Sequence, residues 1–141
     1  MMFGGFKHTV DKKGRVFIPA KFRDELGESF IISRGVYGKT CLCVYPNDEW
    51  EKFVSKFDAL PSIEASKIKR FLFDGTFTVE FDAQGRILIP PSLREYAGLG
   101  EDARIIGMQN SLEIWNTELW EKENAEYTPE SVSSVISAYN I

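Results

Sequence analysis

A short basic segment near the N-terminus carries residue types that could bind a polyanion. Asp11 is followed by Lys12, Lys13, Gly14 and Arg15, and the glycine tolerates the positive φ of a tight turn. Cations at the tip of a turn can displace the counterions that surround duplex DNA. Among these side chains, only arginine can donate two parallel hydrogen bonds to the O6 and N7 atoms of guanine. The segment therefore predicts a contact with double-stranded DNA, with Arg15 at its centre.

Two roles are open for Arg15, and they are compatible. It can contact a base edge or a phosphate while Lys12 and Lys13 contact phosphates, or it can form an ion pair with Asp11 that makes the turn rigid. The aspartate can also accept backbone N–H bonds within the turn. Lys7 lies on the outward phase of the preceding strand, where it is an auxiliary phosphate contact or simply a solvated lysine.

Charge is distributed unevenly along this chain, whose net charge is -4. The first 23 residues hold six basic side chains and one acidic side chain, whereas residues 116–141 hold one lysine and five glutamates. A charge run is often only a solvated face of the protein. The segregation nevertheless favours an anionic partner for the N-terminal end, and the acidic tail has no assigned role beyond solubility or repelling DNA.

The basic turn belongs to an internal repeat. When Asp11 is aligned with Asp82, six of thirteen positions are identical, and the segment ends with Arg23 matched to Arg94. Because Arg23 recurs as Arg94, structural pairing is favoured for both arginines. The chain is therefore interpreted as a duplication of one module.

The second turn keeps the framework of the first but not its lysines. Asp82, Gly85 and Arg86 recur, while Ala83 and Gln84 replace the two lysines. Asp82 and Gly85, like their counterparts in the first turn, are predicted to shape the backbone. The sequence favours a structural or subunit contact for Arg86, with a DNA contact as the alternative.

Each copy has the same predicted order of elements. Alternating apolar residues predict a strand before the turn and a short apolar strand follows it, so each copy begins with a β-hairpin. A proline then ends the second strand and opens a short helix, which a glycine closes. Two more strands follow in each copy: residues 29–33 and 41–45 in the first, and 103–108 and 111–115 in the second.

Three further helices are predicted. One opens near Asn47, whose side chain is expected to cap it, one covers residues 62–73, and one begins at Thr128 with an apolar side suited to docking. Since no flexible linker separates the copies, the modules are expected to share one core. The predicted division is a first module at 1–60, a helical connection at 61–74, a second module at 75–127 and a C-terminal helix at 128–141.

Composition and motifs exclude several classes of protein. A chain of 141 residues can bury a core without a disulfide or a metal, and its apolar runs are far shorter than the ~20 residues of a membrane helix. With no secretory signal, a cytoplasmic location is expected. Cys41 and Cys43 are interpreted as reduced packing thiols, because no Cys-x-x-Cys pair or histidine cluster completes a metal site. With His8 as its single histidine and no nucleophile motif, the chain is expected to have no enzymatic activity, cofactor, metal or small-molecule substrate.

The duplicated strand, Asp-x-x-Gly-Arg turn, apolar strand and proline resemble the AbrB-type swapped-hairpin DNA-binding module. Two copies in a chain of this length resemble the MraZ family, as do the opening Met2–Phe6, the segment 92–99 and Leu112-Glu113-Ile114-Trp115. The resemblance implies a β-rich α+β fold, a double-split β-barrel built from two pseudo-symmetric swapped-hairpin repeats with flanking helices. It further implies a ring-forming homo-oligomer and a nucleoid-associated transcriptional regulator or repressor. Such a regulator would bind repeated boxes upstream of its own gene, in the cluster for cell division and the cell wall.

One alternative from another class remains open. The chain could be a ring-forming scaffold for protein interaction, in which the C-terminal helix recruits a partner and no DNA is bound. The basic first turn argues against this interpretation and the acidic net charge favours it. A single-module antitoxin of the AbrB type fits less well, because the duplication fills the chain.

Overall fold

The two repeats contribute equivalent elements in the computed structural model, which describes residues 1–141. The first contains β1 (Gly5–Thr9), β2 (Arg15–Phe17), α1 (Ala20–Leu26), β3 (Ser29–Arg34), β4 (Leu42–Tyr45), α2 (Asn47–Ser55) and a 3-10 turn (Lys56–Ala59). The connecting helix is α3 (Ser62–Asp74). The second contains β5 (Phe77–Glu80), β6 (Arg86–Leu88), α4 (Pro91–Ala97), β7 (Asp102–Gly107), β8 (Leu112–Asn116) and α5 (Thr117–Ala125), and α6 (Pro129–Ala138) follows. The protein is thus a mixed α+β protein, and the predicted helices and strands are confirmed to within one or two residues.

The strands of the two repeats interleave in antiparallel sheets. The larger sheet has six strands in the order β1-β7-β8-β4-β3-β5, and β2 pairs with β6 in a separate two-stranded sheet. Strand β1 of the first repeat pairs with β7 of the second, and β5 of the second pairs with β3 of the first. The central pair, β4 and β8, also joins the two repeats. Each edge strand of the large sheet is therefore hydrogen-bonded to a strand of the other repeat.

The predicted hairpin at the start of each copy is only partly formed. In the first copy, an isolated antiparallel bridge between Val10 and Val16 is all that joins the two predicted strands outside the turn. Beyond this bridge, β1 and β2 diverge into different sheets. The expectation that these two strands pair with each other along their length was therefore wrong. Both strands form their backbone hydrogen bonds with strands of the other repeat.

A single large core lies between the six-stranded sheet and the β2–β6 pair. It contains 19 buried hydrophobic residues drawn from both repeats. Val16 and Ile87 have no exposed surface, and Phe22 of α1 and Leu93 of α4 fill equivalent positions beside them. Burial alternates along β2 and β6 in step with the side-chain period of a strand: Val16 and Ile87 are buried, whereas Phe17 and Leu88 are exposed.

Helix α2 covers part of the opposite face of the large sheet. Phe53 stacks on Tyr45 with ring centroids 5.4 Å apart, and Trp50 lies against the same tyrosine. The expected Asn47 cap is absent: α2 begins after Pro46, and the Asn47 side chain donates to the Ser29 carbonyl at 2.9 Å instead. Since Asn47 is already inside the helix, its side chain does not reach the free N–H groups of the first turn.

The C-terminal helix α6 starts where the sequence predicts. Thr128 and Ser131 form a reciprocal capping box at its N-terminus. Its apolar side chains remain exposed, among them Val135 at 61% and Tyr139 at 76%. No helix of the protein is both long enough and apolar enough to cross a membrane.

Candidate nucleic-acid interface

Asp11 organises the first turn. Its Oδ1 atom accepts hydrogen bonds from the backbone N–H groups of Lys13 at 3.0 Å and Arg15 at 2.9 Å. Its Oδ2 atom accepts from the Arg15 Nε atom at 2.6 Å, so the ion pair considered from the sequence is formed. Gly14 has a φ of 87°, in the region that favours glycine, and donates its N–H to the Asp11 carbonyl. The two terminal nitrogens of Arg15 make no hydrogen bond within the chain.

The second turn repeats this geometry, but its arginine is more fully engaged. Asp82 accepts from the backbone N–H groups of Gln84 and Arg86, and from the Arg86 Nε atom at 2.8 Å. A terminal nitrogen of Arg86 donates to the Gln84 side chain at 3.2 Å. The guanidinium also lies 5.9 Å from the centre of the Phe17 ring. These contacts hold the Arg86 side chain within the turn.

The two turns lie side by side. The other terminal nitrogen of Arg86 approaches the Oδ2 atom of Asp11 at 3.8 Å, so the arginines of both turns face one carboxylate. Backbone bonds also cross between the repeats, from Ile89 N–H to the Gly14 carbonyl at 2.9 Å and from Ile18 N–H to the Gly85 carbonyl at 3.3 Å. Residues 11–15 and 82–86 therefore form one continuous surface, which we call the turn surface.

Arg23 and Arg94 support the turn surface from beneath. A Cβ atom on Gly14 would lie 2.5 Å from the Arg94 Nε atom, and one on Gly85 would collide with the Arg23 guanidinium. Arg23 also donates from Nε to the Ile18 carbonyl at 3.0 Å. Each arginine thus packs against the turn glycine of the other repeat. Neither makes an ion pair, so the structural pairing expected from the recurrence is not formed, and both arginines pack on glycine instead.

The lysines expected to contact phosphate differ in their surroundings. Lys12 and Lys13 are exposed and make no ion pair. Lys7 is also exposed, but its Nζ atom lies 3.5 Å from the Asp102 carboxylate, which offsets part of its charge. Lys21 places its Nζ atom 4.7 Å from the centre of the Phe6 ring and is engaged in cation–π contacts. Of these four lysines, only Lys12 and Lys13 at the tip of the first turn make neither an ion pair nor a cation–π contact.

The turn aspartates are held in their ionised form. The backbone N–H of Arg15 makes the largest contribution to lowering the pKa of Asp11 to about 2, and the arginine side chain adds to it. The pKa of Asp82 is also lowered, chiefly by the backbone N–H of Arg86. Both turns therefore keep a negative charge at their base that orients the arginine, while the first turn presents further cations at its tip.

The packing of Arg23 and Arg94 against the turn glycines of the opposite repeat could not be identified from the sequence. Their recurrence indicates a common role, but glycine has no side chain whose chemistry would reveal a partner. A second feature was also missed: Phe17 and Leu88, at equivalent positions of β2 and β6, are 43% and 55% exposed. Both residues stand within continuous apolar runs, Val16-Phe17-Ile18 and Ile87-Leu88-Ile89, so only the two-residue period of a strand could have indicated that they point away from the core.

Comparison with known proteins decides the family. The family model described as "MraZ protein, putative antitoxin-like" matches residues 1–70 and 72–136. This chain belongs to the MraZ family. The MraZ resemblance predicted from the repeated turns is thereby confirmed.

Relatives within the MraZ family are similar over nearly the full chain. A protein of Lachnoclostridium phytofermentans is 45% identical over 88% of this chain and 87% of its own length. One of Heliobacterium modesticaldum is 44% identical over 92% of this chain and 90% of its own. One of Halothermothrix orenii is 43% identical, with 100% of both chains covered. Each of the three is named "Transcriptional regulator MraZ".

Proposed function

We propose that this protein regulates transcription by binding double-stranded DNA through the turn surface. One observation carries the proposal: Asp11 fixes Arg15 by its Nε atom, leaving both terminal nitrogens free beside two unpaired lysines. A fixed guanidinium with two free donors suits bidentate contact with guanine or a phosphate, while the lysines suit flanking phosphates. The name shared by the relatives supports the same regulatory role.

The two turns have different parts in this proposal. Arg15, Lys12 and Lys13 make the principal DNA contacts, and Lys7 adds an auxiliary phosphate contact from β1. Arg86 binds Asp82 and approaches Asp11, so it sets the position of the first turn and lies at the margin of the DNA-binding surface. Its 21% side-chain exposure leaves it able to approach the nucleic acid there.

The proposal includes assembly into a ring of identical subunits. A single turn surface presents few cations on a chain of net charge -4, which makes an isolated subunit a weak binder of DNA. A ring with its first turns on one side would engage several spaced boxes, since each bound box raises the effective concentration of the next. We place these boxes upstream of the protein's own gene in the division and cell wall cluster, and we assign a double-split β-barrel to the interleaved repeats. Nucleoid association in the cytoplasm follows from this role.

The test is fluorescence anisotropy of a labelled duplex from upstream of the gene, against a scrambled duplex, at two salt concentrations. Arg15→Ala is expected to lose about 1–3 kcal/mol of specific binding per engaged copy, roughly 5- to 150-fold. Arg70→Ala on α3 is the matched control, because it removes an exposed arginine outside the turns. Arg15→Lys keeps the charge but not the paired donors, so it separates base contact from phosphate contact.

The possible outcomes separate the models. An unchanged affinity in Arg15→Ala would remove this residue from the site, and affinity independent of salt would reject the electrostatic model. Light scattering of each variant establishes that the assembly is unaltered. If an intact assembly shows no preference for the native duplex, the scaffold alternative gains support, and the exposed apolar side of α6 is then its docking surface.

A further inference from the structure

Three side chains with metal-binding atoms meet on the face of the large sheet opposite the main core. Cys41 and Cys43 come from the first repeat, and Glu113 of β8 lies directly across from Cys43 in the ladder. Their sulfur and carboxylate oxygen atoms all lie within 4.8 Å of one another. Both thiols are buried, with residue exposures of 6% and 7%. In the sequence only the two cysteines are close together, and the fold brings the Glu113 carboxylate to them.

The carboxylate is oriented by its own neighbour. The indole N–H of Trp115 donates to one carboxylate oxygen of Glu113 at 2.9 Å, which leaves the second oxygen available. Outer hydrogen bonds of this kind fix the direction of a ligand and increase metal affinity. On the other side, the Gly35 N–H donates to the Cys41 carbonyl at 2.8 Å, and a Cβ on Gly35 would lie 2.9 Å from the Cys41 sulfur. Thus Gly35 holds the backbone of Cys41 and lies directly against its sulfur.

We propose that Cys41, Cys43 and Glu113 bind a thiophilic divalent cation such as Zn²⁺. Zinc takes sulfur and carboxylate ligands at about 2.3 Å and 2.0–2.2 Å, so small side-chain rotations that close the three donors around it suffice for binding. Three protein ligands leave a fourth tetrahedral position for water. On binding, each thiol releases its proton to solvent as its sulfur–metal bond forms, and no atom changes oxidation state.

The proposed cation would join the two repeats at the centre of the sheet. Cys43 and Glu113 lie on β4 and β8, the central of the three strand pairs that join the repeats in the large sheet. Because the unfolded chain does not bring Glu113 to the cysteines, a cation at this site would bind the folded state preferentially. It would therefore raise the unfolding temperature as its concentration increases.

The test uses the full chain, reduced and freed of metal. Titration with Cd²⁺ is followed by the ultraviolet charge-transfer absorption of its thiolate bonds, and Zn²⁺ is added in competition. We expect saturation at one Cd²⁺ per chain, displacement by Zn²⁺ and a higher unfolding temperature with either ion. Cys41→Ser and Cys43→Ser should each abolish the absorption. Glu113→Gln should weaken binding by more than the roughly 10- to 100-fold typical of losing an outer ligand partner.

Two further variants keep the result interpretable. Glu118→Gln removes an exposed carboxylate of α5 and should bind Cd²⁺ as the wild type does. Trp115→Phe keeps an aromatic ring but removes the indole donor, and should weaken binding less than Glu113→Gln does. Absence of the absorption in the wild type, or wild-type affinity in a folded Glu113→Gln variant, would overturn the three-ligand site. Failure of Zn²⁺ in large molar excess to displace Cd²⁺ would overturn the assignment to zinc-like cations.

Discussion

Replacing Gly14 by alanine is expected to destabilise the protein and to weaken DNA binding. The backbone at Gly14 has a φ of 87°, and an L-residue in the left-handed region loses about 1–2 kcal/mol. For a chain of this length, that loss lowers the unfolding midpoint by about 3–7 °C. The new methyl group would also meet Arg94, with the Nε atom 2.5 Å and the Cδ atom 2.8 Å away. Arg94 must therefore move, and the first turn loses its support.

Gly38→Ala is the matched control for this substitution. Gly38 has a similar φ of 81°, but no atom lies within 4 Å of the position its Cβ would take. Gly38→Ala should therefore lose stability only through the strained backbone conformation, because its methyl group displaces no neighbour. The difference between the two variants in thermal or denaturant unfolding measures the contribution of Arg94. DNA affinity, measured by anisotropy, should fall in Gly14→Ala and stay unchanged in Gly38→Ala.

A double-mutant cycle with Arg94→Ala completes the test. If the methyl group acts by displacing Arg94, Gly14→Ala will cost less in the Arg94→Ala background, with a coupling of at least about 0.5 kcal/mol. Equal losses in Gly14→Ala and Gly38→Ala, together with additive effects in the cycle, would refute the proposed support of the turn.

Two further outcomes are expected from the turns and the core. Because the folded protein depresses the pKa of Asp11 to about 2, its carboxylate contributes stability above its ordinary pKa of 3.8, and this contribution is lost as the pH falls from about 4 to about 2. Asp11→Asn should therefore reduce stability at neutral pH and flatten its decline in acid unfolding; an unchanged pH profile would contradict the role of the turn hydrogen bonds. Phe22→Ala, at a side chain with 1% exposure, should cost about 3–5 kcal/mol, whereas Phe17→Ala should cost far less because Phe17 is 43% exposed. Similar losses in denaturant unfolding for the two phenylalanine variants would contradict the assignment of the core.

The elements of this fold are visible in the sequence because their signals are local. Proline before α1 and glycine after it mark the ends of that helix, and Thr128 marks the start of α6. The choice of strand partner is different. Each repeat offers several apolar strands, and the hairpin is only the nearest of the possible pairings; in the structure β1 pairs with β7 and β2 pairs with β6. Only the tertiary packing decides between them.

In the candidate site, too, contacts between residues close in sequence could be predicted, whereas contacts between the repeats could not. Asp11 and Arg15 are close in the chain, and their ion pair could be anticipated from spacing alone. The approach of Arg86 to Asp11, and the meeting of Glu113 with Cys43, depend on strands from different repeats coming together. Such contacts leave no periodic or compositional trace in a single sequence.

The exchange of strands also has a consequence for synthesis of the protein on the ribosome. Gly5 of β1 pairs with Ile106 of β7, so β1 leaves the exit tunnel long before its partner strand does. Closing so long a loop delays this pairing, and β1 must wait with its backbone groups bound to water. The first repeat therefore cannot complete its own structure during translation. The β2–β6 pair requires residues up to Leu88, whereas the six-stranded sheet is complete only after β8, which ends at Asn116, has been made.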